Sequence, residues 1–411
     1  MRHRRWLVLL PVIFVTYSLA FLDRTNYAFG AAAGLAADLH ISSNAASFLG
    51  ALFFLGYFLF QIPGTVYAER RSVKRLIFVG LILWGGLASA TGVISDIRLL
   101  YADRFLLGVV ESAVLPALLV LVARWFAASE RATANALVIV GNPVTLLWSS
   151  ILSGYLAAKL GWQWMFVAEG VPAMLWAFVW WWLVAERPSE ARWLAPADRE
   201  ALAAQLAAEQ RVIAPVRNYR AAFRSPFVIA LAVQYFCWSV GVYGFVLWLP
   251  SILKAGGGGL VAVGWLSAVP YLAAIIAEVL VSRLSDRSGR RKIMIWPFLL
   301  IGAAVFYASY ALGPSHFWLS FALLIAAGAA MYAPYGPFFA WIAEVLPANV
   351  AGGAIALING MGALGSFTGI YAVGFLNGLT GKPALSYLAM AAALAVSAVI
   401  TLFLPGRARG V

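Results

Sequence analysis

Residues 68–75 read Ala68-Glu69-Arg70-Arg71-Ser72-Val73-Lys74-Arg75, a short basic turn with long apolar runs on either side, 45–68 and 76–95. Each run is long enough to cross a hydrocarbon core of about 30 Å as a helix rising about 1.5 Å per residue. The same alternation continues outward along the chain. Apolar runs fall at 7–35, 45–68, 76–95, 99–123, 132–157 and 163–185, then at 226–253, 260–282, 293–312, 317–340, 349–376 and 384–404. Of the 411 residues 63% are hydrophobic and 11% charged, against about 25% charged in a soluble globular chain. That much apolar surface must meet lipid, where every backbone polar group needs an internal partner. The runs lack the period-two alternation of barrel strands. The expected fold class is therefore an all-α membrane protein of twelve transmembrane helices.

The formal net charge is +13. Its source is the connecting loops rather than a basic domain, so no nucleic-acid partner is expected. With the N-terminus in the cytoplasm, 23 of the 29 Lys and Arg fall on cytoplasmic segments and 4 outside (Arg98, Lys159, Lys254 and Lys382). The positive-inside rule then places both termini in the cytoplasm. Met1-Arg2-His3-Arg4-Arg5 has a signal peptide's charge, but the apolar run continues past a normal h-region, so it reads as a retained first helix. Cys237 is the single cysteine, and His3, His40 and His316 are too scattered for a ligand set. No nucleophile–base constellation, phosphate-binding glycine loop or metal set is present. An enzyme is not expected, nor any cofactor beyond a proton gradient as driving force.

The stretch 186–225 differs in kind. It holds Glu186-Arg187-Pro188-Ser189-Glu190 and an Ala-rich segment, 199–210, with the composition of an amphipathic surface helix. It reads as a cytoplasmic linker between a bundle at 1–185 and one at 226–411. The two bundles read as repeats: the turn after the eighth run, Ser285-Asp286-Arg287-Ser288-Gly289-Arg290-Arg291-Lys292, occupies the place of 68–75 in the first half. A parallel six-plus-six repeat is an architecture of secondary transporters.

Charged side chains inside spans are costly and mark function by default. Asp23 and Arg24 lie in the first span, Arg104 and Glu111 in the fourth. Arg104 and Glu111 are seven apart, about two turns, and share a helix face. If the first and fourth helices face each other, acids and bases can pair across the gap, either as working groups or as structural pairs. A carboxylate balanced between burial and a neighbouring Arg can take and release a proton. An Arg keeps its charge and can clamp a substrate carboxylate. Asp103 is a structural candidate. Tyr57, Gln61, Asn142, Gln234, Tyr235, Tyr335 and Asn359 are in-span groups able to meet hydroxyls or to bond helix to helix. Trp341 lies near the polar residues of the tenth and eleventh helices. Glu278, five residues before Arg283, reads either as a snorkelling acid paired with a loop Arg or as a second protonatable site.

These loops resemble the helix 2–3 motif of the major facilitator superfamily and its helix 8–9 copy, across essentially the whole chain. The N-terminal copy has Arg71-Ser72-Val73 where a Gly is usual. Phe21-Leu22-Asp23-Arg24-Thr25-Asn26, Gly56-Tyr57-Phe58-Leu59-Phe60-Gln61-Ile62-Pro63-Gly64, Arg104-Phe105-Leu106-Leu107-Gly108-Val109-Val110-Glu111 with Pro116, and Glu169-Gly170 resemble segments of its anion:cation symporter family. The resemblance, to transporters of galactonate, glucarate and hexuronates, implies proton-coupled uptake of a small organic anion such as a sugar acid by alternating access. It implies proton coupling at Asp23 and Glu111, binding or gating at Arg24, an equally close match at Arg104 with its role open, and substrate contact at Asn359; Tyr57, Gln61 and Trp341 are substrate-binding candidates from their place among the in-span polar and aromatic groups. Gating falls to Glu69, Arg70, Asp286, Arg287, Gly289 and Arg290. At Glu278 the family usually has an apolar residue. The expected partners are the anion, protons and the lipid bilayer; the expected setting is a monomer in a bacterial cytoplasmic (inner) membrane. A drug/proton antiporter and a transporter-like anion sensor are the alternatives. Against the first, residues 142–145 read Asn142-Pro143-Val144-Thr145 rather than a Gly-Pro-x-x-Gly-Gly pattern; against the second, no signalling domain is appended.

Overall fold

A computed structural model describes residues 2–191, 193–212, 223–346 and 348–405, and the described chain is helical throughout. The helices are α1 (Arg2–Ala32), α2 (Leu35–Asp38), α3 (Ser43–Arg70), α4 (Val73–Thr91), α5 (Ile97–Glu111), α6 (Val114–Trp125), α7 (Ala128–Ile139), α8 (Gly141–Leu183), α9 (Pro196–Val212), α10 (Pro226–Ala255), α11 (Leu260–Ser288), α12 (Trp296–Leu312), α13 (Phe317–Tyr332), α14 (Tyr335–Val345), α15 (Ala348–Thr380) and α16 (Ala384–Phe403). Eleven segments are long and apolar enough to cross a membrane. One of them, Thr133–Leu183, has 51 residues. Straight, it would measure roughly 75 Å, far more than a bilayer core. Gly161 divides it with φ 82° and ψ 165°, a conformation outside the helical region. The segment therefore makes two crossings, which brings the described total to the twelve expected. The Ala-rich linker segment forms α9, as its composition implies.

Three crossings are interrupted, each near the residue four before a proline. Pro116 follows the break between α5 and α6 at Ser112, Pro143 the step from α7 to α8 at Ile139, and Pro337 the break between α13 and α14 at Ala333. Proline has no N–H to donate to the carbonyl four residues back, and its ring crowds that carbonyl. The first of these breaks puts Glu111 at the last position of α5.

Close helix contact comes from residues without side chains. A Cβ added at Gly108 would lie 1.9 Å from the Phe53 carbonyl oxygen, and one at Gly56 would lie 2.2 Å from that of Phe105. α3 and α5 thus meet backbone to backbone, which brings the α5 charges against α3. Large apolar side chains such as Leu7, Trp182 and Phe403 cover the outside, where lipid replaces water.

The first six crossings meet the last six most tightly at the end remote from the N-terminus. There Lys254 Nζ donates to the Ala32 carbonyl at 2.6 Å. A Cβ on Gly154 would fall 2.8 Å from Gly264 Cα, so α8 and α11 touch. The Phe48 ring stands edge-on to Tyr371 at 5.5 Å, joining α3 to α15.

Candidate substrate site and charge cluster

α1, α5 and α8 bring seven ionisable or amide side chains into the first half: Asp23, Arg24, Asn26, Asp103, Arg104, Glu111 and Glu169, none more than 7% exposed. Arg24 Nε donates to Glu111 Oε2 at 3.1 Å, so the first and fourth crossings do face each other. The Arg24 guanidinium also lies 4.6 Å from the centre of the Tyr57 ring. One edge remains unused: Arg24 Nη2 and Glu111 Oε1 are buried without partners.

Arg104 is different. It makes no ion pair among the described residues. Its guanidinium rests 5.1 Å from the Tyr27 ring, and its Nε and Nη1 have no partner. Pairing across the gap therefore joins Arg24 to Glu111 only. Asp23 accepts from Asn26 Nδ2 at 3.4 Å, and its Oδ2 has no donor. Asp103 accepts from Thr91 Oγ1 at 2.7 Å, a bond between neighbouring crossings that suits a structural acid.

A cavity of about 80 Å³ lies beside this cluster, between the two halves. Arg24, Tyr57, Gln61 and Asn359 line it, with Asn142 and Tyr235 from the other polar in-span residues. Gln61 Oε1 and Asn142 Oδ1 are buried there without a donor. Arg104, Asp23 and Glu111 do not line this cavity, and Gln234 and Tyr335 are likewise outside it. Trp341 stands apart on α14, its ring 6.0 Å from that of Phe227. A larger cavity, about 350 Å³, sits within the second half among Trp248, Tyr310, Phe317 and Tyr387 and has no charged side chain in its wall.

The two repeated loops differ. In the second half Gly289 ends α11 with φ 64°, a left-handed position that favours glycine. Arg291 Nη1 donates to Asp286 at 2.5 Å and its Nη2 to Glu344 at 2.6 Å. Arg291 holds this latch; Arg287 and Arg290 are exposed. In the first half Arg71 ends α3 with φ −122°, so no glycine is required. Glu186 takes over: it accepts from Ser72 Oγ and from the Val73 and Lys74 backbone N–H groups, capping α4, and it pairs with Arg124. Arg124 Nη2 donates onward to the carbonyls of Ala68 and Glu69, both at 3.2 Å. Arg70 is exposed.

Two acids carry more here than the sequence reading gave them. Glu169 accepts from Ser153 Oγ at 2.7 Å and has its other oxygen without a donor. An acid inside an apolar run is the signal that marks it. Glu186, in a polar linker, carries no such signal. Among the described residues no group of three His, Cys, Asp or Glu is placed to hold a metal ion.

Twelve crossings in two sets, with buried charges beside a cavity between them, define a polytopic membrane transporter. A sequence profile described as Major Facilitator Superfamily matches residues 13–263 and 254–410, and the chain belongs to that family. It is a transporter rather than an enzyme. A chain of Agrobacterium vitis named "Putative tartrate transporter" is 34% identical over 406 residues, covering 96% of this chain and 92% of the relative. The "Quinolone resistance transporter" of Acinetobacter baumannii is 29% identical, covering 96% and 91%. The crystal structure of a D-xylose–proton symporter superposes with a TM-score of 0.77 at 16% identity, covering 97% of each chain, a likeness of fold.

Proposed function

We propose that this transporter takes up a small hydroxylated carboxylate, of the tartrate or sugar-acid class, by proton symport with alternating access. The observation that carries the reading is the unmet chemistry of the cavity wall. A free guanidinium edge on Arg24 stands with the unpartnered amide oxygens of Gln61 and Asn142. A carboxylate meets the first, and hydroxyl donors meet the others. Buried polar groups that the protein itself leaves unpaired are satisfied by a matching ligand. The similarity to the Agrobacterium vitis chain named "Putative tartrate transporter" supports the same class.

Coupling follows from competition for Arg24. Glu111 holds it here. A proton on Glu111 neutralises that carboxylate and frees the guanidinium for the substrate anion. Proton and substrate then favour each other's binding, the linkage a symporter needs. Asp23, one residue away and linked to Asn26, is the second proton carrier. Arg104 supplies an unpaired positive charge that attracts the anion into the cluster. The gating role belongs to the Arg124–Glu186 and Arg291–Asp286–Glu344 latches, which hold helix ends within each half. In this reading the chain works as a monomer in a bacterial inner membrane, with both termini cytoplasmic.

A second reading, proton-driven export of a carboxylate-bearing drug, draws on the similarity to a quinolone resistance transporter. Direction of flux separates the two. Proteoliposomes with an inward proton gradient are offered labelled tartrate, galactonate and glucarate, with Asp23→Asn and Glu111→Gln in parallel. Accumulation of one acid, abolished by an ionophore and uncoupled in Glu111→Gln, is the expected result. Export of a quinolone with no uptake of any acid would replace the first reading by the second.

A further inference from the structure

Glu278 is the one buried charged residue described in the second half, 6% exposed. It has no hydrogen bond and no ion pair among the described residues. Pairing with Arg283, one of the two sequence expectations, does not occur. Five residues along a helix turn a side chain through about 140°, and Arg283 is exposed.

Among the described residues, the surroundings offer no fixed counter-charge. α8 packs along α11, and over 141–154, the part that reaches Gly264 of α11, it carries no titratable side chain. α13 contributes Tyr332 and, across the interface, α1 contributes Tyr17, both phenols within electrostatic reach of Glu278. α14 carries Tyr335 and Glu344, the latter held by Arg291. α10 carries Tyr235, Cys237, Tyr243 and, at its far end, Lys254, which is bonded to Ala32. Lys292, on the short turn after α11, is bonded to the carbonyls of Leu402 and Leu404. Tyr17 also lines the cavity between the halves, whereas Glu278 is not part of its wall.

A carboxylate this buried is costly unless its charge is met. With no basic side chain to meet it, the compensating charge must be a mobile one. We propose that Glu278 is a second cation site: it binds one proton or one sodium ion in each transport cycle, separately from Asp23 and Glu111. The site lies in the opposite half from those acids, so loading and release at the two places involve different helices. The proposal rests on coupled transport as read above, but its first test does not.

Infrared difference spectra of the purified, reconstituted full chain, titrated with acid in the absence of substrate, report protonated carboxyl groups directly. A component lost in Glu278→Gln and retained in Asp23→Asn/Glu111→Gln is expected. If added sodium shifts the midpoint of that component, sodium competes for the site; if it does not, the cation is the proton. Spectra of Glu278→Gln that superimpose on those of the unmutated protein overturn the proposal. Should Glu278→Gln fail to fold, Glu278→Asp decides: a moved carboxyl component supports the site, and an unmoved one refutes it. Where a transported acid is known, reversal potentials give cations per substrate, and the ratio falls by one in Glu278→Gln. Failure of all acid uptake would remove the symport reading while leaving the spectroscopic result standing.

Discussion

The two sets of six crossings are built on one plan but bury different things. The first encloses Arg5, Asp23, Arg24, Asp103, Arg104, Glu111 and Glu169; the second encloses Glu278 alone among charged residues described there. In place of charges the second half packs rings: Tyr235 stacks on Phe338 at 5.3 Å, and Trp238 lies 4.5 Å from Tyr335. The repeats share crossing lengths, which follow from lipid thickness, and one proline break, at Pro116 in the fourth crossing and Pro337 in the tenth. They need not share buried charge, because in the proposed function only one wall of the cavity must bind a carboxylate. Under the proposed function, charge recognition falls to the first half and the second supplies a mostly apolar and hydroxyl-bearing wall.

The sharpest way to break this comparison is at Arg24. Arg24→Gln leaves the Glu111 carboxylate buried without its counter-charge, and losing one member of a buried pair costs about 3–5 kcal/mol. Thermal unfolding in detergent should show that loss. The double variant Arg24→Gln/Glu111→Gln removes both charges and should recover most of it, although uptake stays absent. Equal destabilisation of single and double variants would show that the pair is not the reason.

Next in size is the contact between halves. Gly154→Val intrudes on Gly264 only when the two halves are closed at that end. An overpacking penalty of about 1–3 kcal/mol corresponds to roughly a 5- to 150-fold loss of the closed population. Uptake should slow by a comparable factor while unfolding temperature stays nearly unchanged. A drop in stability with unchanged uptake would mean the contact supports folding instead of the transport cycle.

The smallest effect compares the two latches. The Arg124 and Glu186 side chains are 23% and 18% exposed, whereas Asp286 and Glu344, the partners of Arg291, are 68% and 52% exposed. Arg124→Ala should cost about 1.5–3 kcal/mol, the value of a sheltered charged hydrogen bond. Arg291→Ala should cost about 0–1 kcal/mol, since water screens an exposed pair. Chemical denaturation of the two variants checks the order, and a reversed order would move the stronger latch to the second half.

Much of this was legible in advance. The apolar runs marked the crossings, with the fifth and sixth joined more closely than their turn suggested. Asp23, Arg24, Arg104 and Glu111 stood out because charge inside an apolar run is rare whatever surrounds it. Arg24, Tyr57, Gln61 and Asn359 do line one cavity, while Trp341 lies elsewhere: a position along one helix does not say which face meets the gap between halves. The sequence points to Arg290, and the structure uses Arg291, because a loop's sequence does not say which of two adjacent guanidiniums turns toward Asp286. Glu186 was read as linker because its partners, Ser72 and Arg124, are 114 and 62 residues away.

The sequence alone determined that this chain crosses a membrane about twelve times and buries charge in doing so. Both follow from local composition, since the cost of exposing apolar surface to water or charge to lipid is paid residue by residue. Only the tertiary structure decided that Arg24 pairs with Glu111 across 87 residues, and that among the described residues Arg104 makes no ion pair with an acid and Glu278 none with a base. Those outcomes depend on which helix faces meet. Hydrogen bonds act over about 3 Å, a distance that packing sets and that spacing along the chain does not.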